Sequence, residues 1–318
     1  MDPNSILRPL AAVALSVSSL ASAHALTTAA PEAGPDVLAQ HIEIQRAADR
    51  PSFHLAIDCT DVGGSRAMTL FETGVGAWND ERQFEVPPEI RRKLLTTLLG
   101  AGFPRFDPLY GARKTNDKTN GPLRISCRIT LRLDDITKNV AQVADGEQFA
   151  PFVTLADELL DELEPLGQAG RSAADLTDGL AGMAEGRFAP ELLVMRLMRL
   201  PGRNGKDVGR ILRVEGGIVS LQAYAPGRML TPPEEFKLGL QASALAAAIY
   251  ESGFATWPIN LPGDGMTELH IGVLNHGHTV TARSYSRIPA GERAAEGRAL
   301  AELAADLLER LDQAANDQ

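Results

Sequence analysis

Cysteine is nearly absent from this chain: Cys59 and Cys127 are the only two in 318 residues. A disulfide framework is thereby excluded, and one bond is the most the chain can form within itself. Aromatic residues are only 5% of the sequence, so Leu, Ile, Val and Ala must fill the cores. There is no Gly-x-Ser-x-Gly, no phosphate loop and no Gly-x-Gly-x-x-Gly opening a helix. The sequence signals of hydrolase, nucleotide-phosphate and dinucleotide chemistry are therefore missing, and no cofactor is implied. Basic residues are outnumbered, 31 Lys and Arg against 41 Asp and Glu, for a formal net charge of −10. An acidic surface repels phosphate backbones and anionic membranes, so nucleic acid is not an expected partner, whereas a basic protein surface would be favoured.

Long apolar runs are also lacking. The one near the N-terminus, Pro9 to Leu20, is shorter than the roughly 20 residues that span a bilayer. It follows Arg8 and leads into Ala21-Ser-Ala23-His-Ala25, small residues at alternate positions as signal peptidase requires. Residues 1–25 are thus expected to be a signal peptide and the mature chain periplasmic or secreted, without stable membrane insertion. Cys59 and Cys127 would then meet an oxidising compartment. Both sit in alternating apolar runs, Phe53-Leu55-Ile57-Cys59 and Leu123-Ile125-Cys127-Ile129-Leu131. A Cys59–Cys127 disulfide is the expectation; two buried thiols are the alternative.

What the chain does have is repetition. Leu155-Ala-Asp-Glu-Leu159-Leu160-Asp-Glu-Leu163 is echoed by Leu303-Ala-Ala-Asp-Leu307-Leu308-Glu-Arg-Leu311, 148 residues on. Pro87-Pro88-Glu89 recurs as Pro232-Pro233-Glu234, and Gly102-Phe103 as Gly253-Phe254. Similar offsets in the same order point to a tandem duplication. The expected organisation is a lead-in over 26–50, a first repeat over 51–166, a Gly- and Ala-rich linker over 167–189, and a second repeat over 190–318.

Period-2 and period-3.6 patterns give each repeat the order ββαββα, an α+β fold with helices on one face of an antiparallel sheet. In the first repeat, strands are expected near 51–60 and 66–73, with a third extended piece around Trp78 and Phe84. Pro87-Pro88-Glu89 should open a helix closed by Gly100 and Gly102. Leu123–Leu133 and Ile136–Val143 should flank an Asp134-Asp135 turn. In the second repeat, Glu234–Ser252 reads as the first helix and Arg293–Leu311 as the closing one, with a hairpin across Asn275-His276-Gly277-His278.

A glycine-bearing hairpin, a helix ending in Ala-Gly-Phe or Ser-Gly-Phe, two strands around Leu-Asp-Asp or Asn-His-Gly, and a Leu-rich last helix together resemble the emfourin type of domain. These are small bacterial proteins, some of which inhibit thermolysin-like metalloproteases. The resemblance covers 51–166 and, more loosely, 190–313. It implies an α+β fold and protease inhibition, but identifies no inhibitory residue here.

Candidate chemistry is sparse. His270, His276 and His278 form the one local histidine cluster, and three imidazoles with an open fourth position could hold zinc. No Cys or nearby carboxylate completes that set, and a hairpin tip accepts His-Gly-His without metal. Asp134-Asp135 reads as a turn former before it reads as a catalytic pair. Trp78 and Trp257 read as packed on the sheets before they read as binding hot spots. The expected function is an exported, non-catalytic protein that binds a protein partner, with protease inhibition as its sharpest form. The alternative is a periplasmic small-molecule or metal-binding protein using the cleft between the repeats.

Overall fold

The computed structural model describes residues 34–61, 64–111, 125–144, 146–200, 209–224, 233–239, 241–262, 266–283 and 293–316. The expected signal peptide, much of the loop before Leu123 and the turn 201–205 lie outside them. The described residues form two α+β units, each a seven-stranded sheet with helices.

In the first unit, α1 (Pro35–Ala47) is followed by β1 (His54–Asp61), β2 (Gly64–Leu70), β3 (Val75–Trp78) and β4 (Arg82–Glu85). Then come α2 (Pro88–Gly100), a 3-10 turn (Phe103–Arg105), β5 (Leu109–Tyr110), β6 (Ile125–Leu133), β7 (Ile136–Val143) and α3 (Ala150–Gln168). The sheet order is β4-β3-β2-β1-β6-β7-β5.

The second unit repeats this list. It runs α4 (Leu176–Ala184), β8 (Leu193–Leu200), β9 (Gly209–Glu215), β10 (Ile218–Tyr224) and β11 (Glu234–Lys237). It continues with α5 (Gln241–Glu251), a 3-10 turn (Phe254–Thr256), β12 (Asn260–Pro262), β13 (Met266–Val273), β14 (His276–Arg283) and α6 (Arg293–Asn316). The order β11-β10-β9-β8-β13-β14-β12 matches the first element for element. Independent details agree. Gly102 and Gly253 both take left-handed conformations before their 3-10 turns, at φ 75° and 70°. Asp134 and Leu274 open equivalent hairpin turns at φ 51° and 54°.

Periodicity accounts for the cores. One side of the first sheet buries Leu55, Ile57, Met68, Leu70, Ile129 and Leu131 against Phe152, Leu155, Leu159, Leu160 and Leu163 of α3. The same side of the second buries Met195, Leu197, Leu212, Val214, Leu269 and Ile271 against Leu300, Leu303, Leu307 and Leu311 of α6. Each such side chain contributes roughly 1.5–3 kcal/mol by leaving water. A buried leucine face continues over the sequence echo at 155 and 303, which is why that echo was the reliable one.

Several expectations need correction. Each unit has four strands before its crossover helix, so ββαββα is too short. The sheets are mixed, because β5 pairs parallel with β7 and β12 parallel with β14; α2 and α5 carry the chain from one edge strand of each sheet to the other, β4 to β5 and β11 to β12. Pro232-Pro233-Glu234 is not the counterpart of Pro87-Pro88-Glu89. The latter opens α2, whereas Glu234–Lys237 is β11, with Phe236 paired to Val219, and α5 begins only at Gln241. The true equivalents are Val86 and Leu238, whose amides donate to Gly74 and Gly217 at 2.8 Å in both units.

The supposed lead-in and linker are structural. Leu38 and Ile42 of α1 are buried in the first core. Leu176, Leu180 and Met183 of α4 are buried in the second, occupying the corresponding place in the element order. Gly179 and Gly182 do not mark a loose chain. A Cβ there would meet Val273 at 2.9 Å and the Phe188 ring at 2.5 Å, so glycine lets α4 lie close on its neighbours.

Candidate functional site

The disulfide belongs to the first unit alone. Register places Cys59 of β1 directly opposite Cys127 of β6, and the sulfurs are bonded. Where the second unit would carry this pair, it has Arg199 opposite Thr267.

The three histidines do not converge. His276 and His278 lie within β14, not at a hairpin tip, because the turn is Leu274-Asn275. They face the same side as Val273 and Ile271, while His270 pairs with Thr279 on the opposite side of the sheet. Each has its own partner. His276 Nε2 lies 3.0 Å from the Ala173 carbonyl, His278 Nε2 2.8 Å from the Trp257 carbonyl, and His270 Nδ1 2.8 Å from Thr279 Oγ1. Burial first, and then the neighbouring Arg196, holds the His270 pKa below its ordinary value; Glu268 opposes this and His278 adds to it. Among the described residues, no group of His, Cys, Asp and Glu is placed to hold a metal.

The other candidates have structural surroundings. Asp134 is a turn residue whose carboxylate lies 3.6 Å from His41 of α1. Trp78 is buried over Gly167, and Trp257 packs against Phe254 with ring centroids 5.7 Å apart.

The surfaces that sequence reasoning missed are the outer faces of the sheets, opposite the helices. In the first unit this face is partly covered by the second unit. Phe71 and Ala77 are buried there and join the second unit's core cluster, with Gly216 of the β9–β10 turn near the Phe71 ring. Glu72, just after β2, bridges the units, accepting from Arg132 at 3.2 Å and from Lys237 of β11 at 2.9 Å. Burial acts to raise the Glu72 pKa, but the Lys237 hydrogen bond and the Arg132 charge outweigh it, and the net shift is downward. The edge strand β4 is closed by a two-way backbone pair between Gln83 and Arg171, and the Gln83 side chain accepts from the Ala189 amide at 2.7 Å. An edge capped in this way cannot template further strands.

The second sheet's outer face has no such cover among the described residues. It carries Val194, Arg196 and Met198 of β8, Ile211 and Arg213 of β9, and Glu268 and His270 of β13; Arg213 is exposed and the other six are half-buried. No helix among the described residues is long and apolar enough to cross a membrane. No protein-family model matches this chain, and no curated protein matches it either.

Proposed function

We propose that the chain is an exported, non-catalytic binding protein, periplasmic or secreted, that acts on a protein partner. Protease inhibition of the emfourin kind is its sharpest form. The observation that supports this most directly is the outer face of the second sheet, which no other element covers among the described residues. A face with apolar Val194, Met198 and Ile211 between charged side chains has the mixed character of a recognition surface. The disulfide supports the compartment, since such bonds persist where conditions are oxidising.

The mature protein should be titrated into a thermolysin-like metalloprotease and, in parallel, immobilised to capture partners from the exported fraction of its host. The expected result is stoichiometric loss of protease activity or a stoichiometric captured protein. Full protease activity at tenfold molar excess removes the inhibitor form; an empty capture as well removes the broader reading.

A further inference from the structure

Pairing between strands lines up side chains that are distant in sequence. In the second sheet one line crosses five strands: Ser220 of β10, Arg213 of β9, Arg196 of β8, His270 of β13 and Thr279 of β14. All five lie on the outer face, because their chain neighbours Val219, Leu212, Leu197, Leu269 and Val280 are buried on the helix side. Arg213 and Arg196 are directly opposed. Like charges in that position repel, so the pair reduces stability unless an anion lies between or over it. Neither guanidinium makes a hydrogen bond or ion pair among the described residues. Glu268 is the acid flanking the line on β13, but it is in register with Met198 and Thr281, one row away.

Beside the line two paired positions carry no side chain of their own. Gly272 and Gly277 are paired across β13 and β14, and Gly272 is opposite Val194. The His270 ring leans over them: a Cβ on Gly277 would come within 3.0 Å of its Cε1. Paired glycines inside strands weaken a sheet and commonly mark a close approach by another chain. With Nδ1 held by Thr279, His270 Nε2 makes no hydrogen bond among the described residues.

The first unit is a built-in control. Its equivalents of Ser220, Arg213, Arg196, His270 and Thr279 are Ala77, Thr69, Ala56, Thr130 and Asn139, paired in the same line and uncharged. Its equivalents of Gly272 and Gly277 are Arg132 and Thr137, with Arg132 occupied by Glu72. The scaffold therefore needs neither the arginines nor the glycines. They are confined to the copy whose outer face has no cover among the described residues.

We infer that this line is a carboxylate-binding site, and that its occupant is an extended, acidic segment of a protein partner laid across β9, β8 and β13. Two adjacent guanidiniums can each receive a carboxylate in a two-point hydrogen-bonded pair. Val194, Met198 and Ile211 would contact apolar side chains between the acids. The site also reverses the expectation from overall charge: a protein of net charge −10 presents a local basic line. This inference rests on the protein-binding reading and specifies the chemistry of the partner.

The test uses a fluorescein-labelled peptide eight residues long, with glutamate and valine alternating at every second position and serine between them so that both face the sheet, titrated with the mature protein and followed by anisotropy. Its counterpart is the R196A/R213T variant, which installs the residues the first unit already tolerates at these positions. Saturable binding, weakened at least tenfold in a variant that melts no lower than the wild type and shows a shallower salt dependence, is the expected result. No binding by the wild type, or equal binding by the variant, overturns the site. So does inorganic phosphate binding at the arginines with no peptide binding, since it would assign them to a small anion. Because the peptide assay needs no natural partner, its failure is distinct from an empty capture experiment, which bears on the protein-binding reading itself.

Discussion

The two units share every strand, every α-helix and every strand neighbour, yet they differ at their surfaces more than in their cores. Phe71 and Ala77, buried where the second unit docks on the first, correspond to Glu215 and Ser220 in the second. Glu215 is exposed. Docking one copy on the outer face of another is a head-to-tail contact, and such contacts propagate unless something stops them. Glu215 and Ser220 lack the apolar groups through which a further copy could dock in the same way. The aromatic residues diverge similarly. At the β5 end of the first unit, Phe106 is surrounded by Phe103, Tyr110, Phe149 and Phe152, with Tyr110 stacked on Phe149 at 4.1 Å. The second unit has Phe254, Trp257 and His278 at the corresponding end. Duplication preserved the buried faces and released the outer ones, one becoming a seam and the other left uncovered among the described residues.

The disulfide is the sharpest asymmetry and should give the largest effect. It closes a sequence separation of 68 residues, for which loop-closure entropy predicts stabilisation of about 2–4 kcal/mol. The variant C59R/C127T gives the first unit the second unit's pair. Its unfolding free energy, from guanidinium titration, should fall by that amount, and reductant should lower the wild type to the same level while leaving the variant unmoved. A wild type insensitive to reductant, or two titrating thiols after denaturation without reductant, would refute the bond.

Phe71→Glu gives the seam the residue found at the equivalent position of the second unit. It removes a buried ring and leaves a carboxylate facing apolar neighbours, at a cost of about 2–3 kcal/mol. The prediction concerns the shape of the transition as well as its midpoint. Each unit has its own core, so breaking the seam should split one calorimetric transition into two. A single cooperative transition displaced to lower temperature would mean the units are coupled elsewhere.

Glu72→Gln tests the polar part of that seam and should cost about 1 kcal/mol at neutral pH, since its partners are only partly buried. The folded Glu72 pKa lies below its unfolded value near 4.5, so ionised Glu72 stabilises the fold above that value. This contribution is lost as pH falls through the folded pKa. Wild type and variant should therefore differ at pH 7 and converge in acid. A difference that stays constant down to pH 3 would assign the effect to shape instead of charge.

What could be read in advance follows from the range of the signal. The leucine face of α3 and α6 and the alternation of β6 and β7 are local periodicities, and both were legible. Short edge strands carry too little pattern: β5 has two residues, β12 three, and β4 and β11 four each. The glycines of α4 oppose helix formation locally, and packing against Val273 and Phe188 overrides them. α1 was concealed by its Pro-rich entry, although Pro35 at its first turn and the Leu38–Ile42 spacing are ordinary helix signals. The basic line could not be found from the chain alone. Arg196, Arg213 and His270 become neighbours only through strand register, which no local pattern of these residues encodes.

The smallest expected effect lies at Asp80, in the β3–β4 turn beside the seam. Asp80 keeps contact with solvent, yet burial by the atoms crowded around it raises its pKa above the ordinary carboxylate value, and Asp58 and Glu215 add repulsion. The folded state thus binds this proton more readily than the unfolded chain does, so ionised Asp80 weakens the fold at neutral pH and the penalty is relieved on acidification. Asp80→Asn removes the charge and retains a residue suited to the positive φ of 55°. It should raise stability at pH 7 by no more than about 0.5 kcal/mol, the usual scale for a surface substitution. The gain should fade as pH drops below the folded pKa, where the wild-type carboxyl is already neutral. Glu215→Gln should recover part of the same gain from the other unit, because it removes one source of the repulsion across the seam. A gain at Asp80 that persists unchanged at pH 3, or none at pH 7, would show that these carboxylates do not oppose one another.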